Sequence, residues 1–219
     1  DKNTYVFKKT VPVNFKIVED NFANDKVPIT VTVTDKDTQK NLTEAEIQLG
    51  NWKNQGNIYE NSITLQEAAN ELKKYDVTVT CTDKAGNTSK HTEAIIIDRK
   101  SPEINIRYKG KRMNKDNGYY QERTAYISVK EEYSFKEENF IDAIRAAINS
   151  DKKEPDLIKI SKVETEENYS ATFQVEFLEN AEYSINNIDY IDLSENKAEK
   201  TTYIGSEGTE EEYPTNFFV

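Results

Sequence analysis

The sequence predicts an all-β chain of two tandem β-sandwiches, the second carrying one inserted α-helix. Three observations predict it: short runs of alternating apolar and polar residues, a set of landmarks that recurs at a near-constant spacing, and one stretch of helical periodicity. Val11-Pro12-Val13-Asn14-Phe15-Lys16-Ile17 alternates first, followed by Ile29-Thr30-Val31-Thr32-Val33. Tyr75 to Cys81, Tyr126 to Val129, Ala171 to Phe177 and Tyr183 to Asn186 repeat the pattern. A period of two places one face inward and the other outward, and the β-branched and aromatic residues on the inward face suit a pleated, packed surface.

The recurring landmarks divide the chain. Tyr59, Tyr75 and Asp83 of the first half correspond to Tyr169, Tyr183 and Asp192 of the second, at spacings of 110, 108 and 109 residues. Each tyrosine opens or precedes a strand, and each aspartate opens a turn, Asp83-Lys84-Ala85-Gly86-Asn87 in one copy and Asp192-Leu193-Ser194-Glu195-Asn196 in the other. Phe15 to Glu19 matches Ile127 to Glu131, and Asn21-Phe22 matches Asn139-Phe140 after a short insertion. The seam falls between Ile95 and Ile104, where Pro102 stiffens a short polar linker; an extended tandem is expected. This gives modules at 1–98 and 99–205, with 206–219 as an acidic linker and the start of a junction to a third module, Thr215 to Val219 resembling Glu93 to Ile97 of copy one.

Two segments depart from alternation. Ser134 with Glu137 reads as a capping box, and Phe140, Ile141, Ile144, Ala147 and Ile148 then share one helical face, predicting a helix over about 135–149. Leu65 to Lys74 reads as a helical turn between two strands.

Composition narrows the function. The 219 residues carry 40 Asp and Glu against 29 Lys and Arg, a net charge of -11, which disfavours the basic stripe that nucleic acids and anionic membranes require. The longest strongly apolar run, Ala94 to Ile97, is far below the roughly 20 residues of a spanning helix. One Cys and one His exclude an internal disulfide and a Cys/His zinc cluster, and leave His91 as the only base for a Ser-His or Cys-His mechanism. The opening residues, Asp1-Lys2-Asn3-Thr4, read as the middle of a longer protein.

The landmarks resemble a known family. Tyr75 through Asp83-Lys84-Ala85-Gly86-Asn87-Thr88-Ser89, Ile97-Asp98 and Ser101-Pro102-Glu103-Ile104 resemble the tail and head of Ig-like repeat modules in large cell-surface proteins of Gram-positive gut bacteria. Gly118-Tyr119-Tyr120 with Arg123 to Glu131, and Trp52 to Tyr59, are similar to the same modules. Copy two departs at the turn, where Glu195 stands for Gly86, so that turn is expected to do without the glycine dihedral. The resemblance implies an extracellular, multi-repeat segment that acts as an adhesin or as a stalk, without catalytic residues; by itself this segment is expected to be monomeric.

Candidate sites follow. Asp83 and Asn87 are expected to hold their turn. Asp83, Asp98 and Glu103 are candidate ligands for a hard cation such as calcium, although their spacing matches no regular calcium loop. Lys16 and Lys130, with Glu19 and Glu131, are the candidates for a Lys to Asn isopeptide link. Trp52 is a candidate for stacking on a sugar, with packing as the alternative. Asp142, Arg145, Asn149 and Asp151 form the polar side of the inserted helix and are candidates for partner contact. His91 has no obvious partner in sequence, and Cys81 reads as a small buried hydrophobe. The function expected is binding of a host protein or glycoprotein, with an immunoglobulin as one such ligand; a structural stalk and a carbohydrate-binding accessory module are the alternatives.

Overall fold

The computed structural model describes residues 4–7, 12–20, 29–65, 71–114, 119–152, 157–165, 169–178, 180–204 and 216–219, with the side chains of 111–122 excepted. The chain divides into two units, Asp1–Lys100 and Ser101–Val219. Both are Ig-like sandwiches.

Unit 1 contains β1 (Thr4–Phe7), β2 (Pro12–Val18), β3 (Ile29–Asp35), β4 (Lys40–Asn41), α1 (Glu44–Ile47), β5 (Lys53–Gln55), β6 (Ile58–Thr64), β7 (Leu72–Thr82) and β8 (Thr88–Asp98). One sheet has the order β1-β8-β7-β3-β4 and the other β2-β6-β5. β1 runs parallel to β8, from Thr4 opposite Ala94 to Phe7 opposite Ile97. Alternation in β2 works as expected: Asn14 and Lys16 are exposed while Val13, Phe15 and Ile17 are half-buried. The core gathers Val33, Ile63, Leu65, Tyr75, Val77, Ile95 and Ile97.

Leu72, Lys73 and Lys74 belong to strand β7 rather than to a helical turn, and 66–70 lie outside the described residues. The short helix lies elsewhere, at α1, where the Glu46 carboxylate accepts the Thr43 backbone N–H at 2.7 Å.

The turn after β3 is held by Asp35, which is buried and accepts the backbone N–H groups of Thr38 and Asp37 at 2.9 Å each. The Thr38 amide above all holds its carboxyl below the ordinary value, against the opposing effect of burial. Because the folded value is depressed, this contribution is present above the unfolded carboxylate value of 3.8 and is lost as pH falls through the folded one. Acid melts followed by Trp52 fluorescence should therefore show unit 1 weakening below about pH 4, and Asp35→Asn should flatten that dependence; equal slopes would remove Asp35 as its source.

Unit 2 contains β9 (Glu103–Asn114), β10 (Tyr119–Lys130), α2 (Glu137–Ala147), β11 (Ile148–Ser150), β12 (Ile158–Val163), β13 (Ala171–Phe177), β14 (Glu182–Ile185), β15 (Thr201–Tyr203) and β16 (Asn216–Phe218). Its strands form one continuous sheet, β11-β14-β16-β10-β13-β12, with β9 on β10 and β15 on β9. Ile127, Val129, Phe173 and Val175 are fully buried between its layers.

The inserted helix is real but shorter than expected. Ile148 and Asn149 leave it to pair with Ile185 and Ser184 as β11. Ser134 does not cap it: the N-cap is Lys136, and the Ser134 hydroxyl meets that of Ser194 at 2.6 Å. Phe140, Ile144 and Ala147, at spacings of four and three, are buried against the sheet.

The C-terminal residues are also corrected. Asn216–Phe218 is a core strand of unit 2, which therefore extends past 205, and Phe217 is completely buried. Its pairing matches that of β8: Tyr183 faces Phe217 as Tyr75 faces Ile95, and Tyr119 runs parallel to Phe218 as Val6 does to Ile96.

Candidate functional site

Both repeat turns close in the same way. Asp83 accepts the Asn87 backbone N–H on one carboxylate oxygen and its side-chain amide on the other, at 2.8 Å each, and Gly86 donates its N–H to the Asp83 carbonyl. Asp192 binds Asn196 identically, at 2.8 and 3.0 Å, and Glu195 donates to the Asp192 carbonyl. The two Asn87 contacts hold the Asp83 carboxyl below its ordinary range.

The glycine dihedral is kept in both copies, contrary to the sequence expectation. Gly86 has φ +86° and Glu195 has φ +61°, so a glutamate is held in the left-handed region by the same hydrogen bonds. A Cβ on Gly86 meets nothing within 4 Å, so Gly86→Ala isolates the dihedral cost. It should destabilise unit 1 by about 1 kcal/mol in denaturant unfolding; an unchanged midpoint would show that the turn relaxes.

Asp83 and Asp98, two of the candidate cation ligands, stand at opposite ends of one strand. Asp83 precedes β8 and Asp98 ends it, so about 33 Å of strand separates them. Asp98 is buried and accepts the Lys100 N–H at 3.2 Å, whereas Glu103 opens β9 with Lys130 4.0 Å away. Within unit 2, Glu131 and Asp192 are both buried with carboxylate oxygens within 4.8 Å. Glu131 also accepts the amides of Tyr133 and Ser134.

The four helix-associated candidates split into two pairs. Asp142 and Arg145 are exposed on α2, one turn apart. Asn149 lies in β11 and Asp151 follows it, accepting the Glu182 N–H at 3.0 Å. Those two border a polar hollow of about 110 Å³ with Glu182, Ser184 and Asn216.

Trp52 packs its ring 5.7 Å from that of Phe15. His91 does have a partner, Glu93 Oε1 at 2.6 Å. Cys81 is half-buried, and desolvation chiefly, with Glu19 and Asp83 adding to it, pushes its thiol up, away from the reactive thiolate. Among the described residues no lysine is buried, so Lys16 and Lys130 lack the dry setting an isopeptide link needs.

One feature escaped the sequence reading. The outward face of β2-β6-β5 forms a groove of about 510 Å³ lined by Asn14, Lys16, Asn51, Lys53, Glu60 and Ser62. Register puts Lys16, Glu60 and Lys53 in one row across the three strands. At its floor Gly50 donates its N–H to the Ser62 carbonyl, and a Cβ there would come within 2.8 Å of Asn61 Oδ1. Individually these are ordinary outward-facing positions; only strand pairing collects them.

No family model and no curated protein matches this chain. Among solved structures it is similar to the Bacteroides ovatus mixed-linkage glucan utilization locus protein SGBP-B in complex with a mixed-linkage heptasaccharide, at 12% identity and TM-score 0.24, covering 92% of this chain. The chain spans 43% of that protein's length. It is also similar to the N-terminal Ig1-2 module of the Drosophila receptor protein tyrosine phosphatase DLAR, at 11% identity and TM-score 0.25, covering 94% of this chain and 95% of that one. Domains 5-6 of the S-layer protein SbsC match at 11% identity and TM-score 0.22, over 91% of this chain and 92% of theirs. No described helix is long and apolar enough to cross a membrane.

Proposed function

We propose that this chain is a non-catalytic segment of a bacterial surface protein that binds a host protein or glycoprotein. The observation that carries the reading is α2. It is an addition to one of two otherwise repeated modules, its apolar side is consumed by the core, and Asp142 and Arg145 remain exposed with no side-chain hydrogen bond or ion pair to another described residue. Insertions on a rigid scaffold are where recognition is commonly placed. The immobilised chain, offered host serum and mucosal proteins including immunoglobulin, tests it. Retention of a defined protein that is lost in the Asp142→Lys, Arg145→Glu double variant supports the reading. Failure to retain any host protein favours the second reading, a structural spacer, to which the repeated turns and registers are equally suited.

A further inference from the structure

We propose that the groove on the outward face of β2-β6-β5 binds a carboxylate-bearing oligosaccharide. The charge of the chain is unevenly divided: unit 1 carries 14 Lys and Arg against 15 Asp and Glu, while unit 2 carries 15 against 25. The acidity that excludes anionic partners for the whole chain therefore resides in unit 2.

Within unit 1 the groove carries a local excess of positive charge. Lys16 and Lys53 stand on the strands either side of Glu60, so their stems are about 10 Å apart across the sheet. Asn14, Lys16, Asn51, Lys53 and Glu60 make no side-chain hydrogen bond or ion pair with another described residue. Among the described residues their donors and acceptors are thus unspent, and they line one hollow.

These chemistries choose the ligand. Each asparagine amide presents a donor beside an acceptor, which matches adjacent hydroxyls. Glu60 only accepts, and so selects hydroxyl or N–H groups between the two ammonium groups. A nucleic acid, with one negative charge per roughly 1.7 Å, would set phosphates against Glu60. An acidic glycan instead separates its carboxylates by hydroxylated neutral stretches. The groove volume of about 510 Å³ lies within the roughly 300–1,000 Å³ of ligand clefts.

This inference rests on the reading of the chain as a binding segment. The test titrates the full chain with a hyaluronan tetrasaccharide, in which glucuronate alternates with N-acetylglucosamine, and with neutral cellotetraose, followed by amide NMR shifts. The acidic sugar should bind at least tenfold more tightly than the neutral one. The Lys16→Glu, Lys53→Glu double variant should weaken it at least tenfold with the melting temperature unchanged. Absence of binding, equal binding of both sugars, undiminished binding by the variant, or occupation of the groove by a second copy in sedimentation would each overturn the inference. Capture of a deglycosylated host protein alongside absent sugar binding would sink this inference and leave the proposed function standing.

Discussion

Deletion of Asn216–Val219 is expected to destabilise unit 2 by at least about 4 kcal/mol. Phe217 is completely buried, with ring contacts to Phe177 at 4.9 Å, Tyr183 at 5.9 Å and Tyr108 at 5.7 Å. Removing such a phenylalanine typically costs about 3–5 kcal/mol. The Arg123 guanidinium adds to this, because it is buried between the rings of Tyr108 and Phe217 at 3.9 and 4.2 Å. Losing one ring opens one side of a buried charge. The backbone also contributes, since Val219 and Ala181 exchange two hydrogen bonds at 3.0 and 3.1 Å. The chain's only tryptophan, Trp52, lies in unit 1, so its fluorescence follows that unit while far-UV circular dichroism follows both. The dichroism transition should move to lower denaturant with the tryptophan transition in place. Two unmoved transitions would mean that these residues are a linker after all.

Phe140→Ala is the second large effect, about 3–5 kcal/mol. Its ring lies 5.0 Å from Tyr190, 5.7 Å from Phe173 and 6.0 Å from Phe135, so truncation leaves a cavity among three aromatic rings. Eleven residues are too few for a helix to persist in water unaided, so α2 depends on this burial for its existence. Asp142→Ala, on the exposed side, should stay within about 0.5 kcal/mol of the parent. Thermal melts of both variants decide the matter: a small loss for Phe140→Ala would make the helix an appendage rather than part of the core.

Much of this architecture was legible because the relevant signals are local. Strands at β2, β3, β7, β10, β13 and β14 follow from period two, and the Asp83 and Asp192 turns from five-residue motifs. The errors share one cause, which is pairing across long stretches of sequence. Ser134 has the spacing of a helix cap, yet its hydroxyl is engaged by Ser194, sixty residues away. Ile148 continues a helical stripe, but β14 offers it a strand partner. Asn216–Phe218 repeats the last strand of copy one in sequence, but its place inside unit 2 is decided by β14 and β10, which recruit it across the intervening loop. At position 195 the hydrogen bonds from Asn196 to Asp192 impose a dihedral that glutamate would not choose. The groove was invisible for the same reason, since Lys16, Lys53 and Glu60 become neighbours only when β2, β6 and β5 align.

The parallel pairing of β1 with β8 bears on how unit 1 responds to force. Chain enters through β1 and leaves through β8, and the two strands run the same way over Thr4–Phe7 and Ala94–Ile97. Tension between those two ends slides one strand along the other, so the hydrogen bonds of the patch are loaded in shear and resist together. An antiparallel terminal pair pulled from one end would instead open bond by bond. Rupture under such a load is governed by the unfolding rate rather than by equilibrium stability, and in unit 1 the patch that bears the shear comprises four residue pairs.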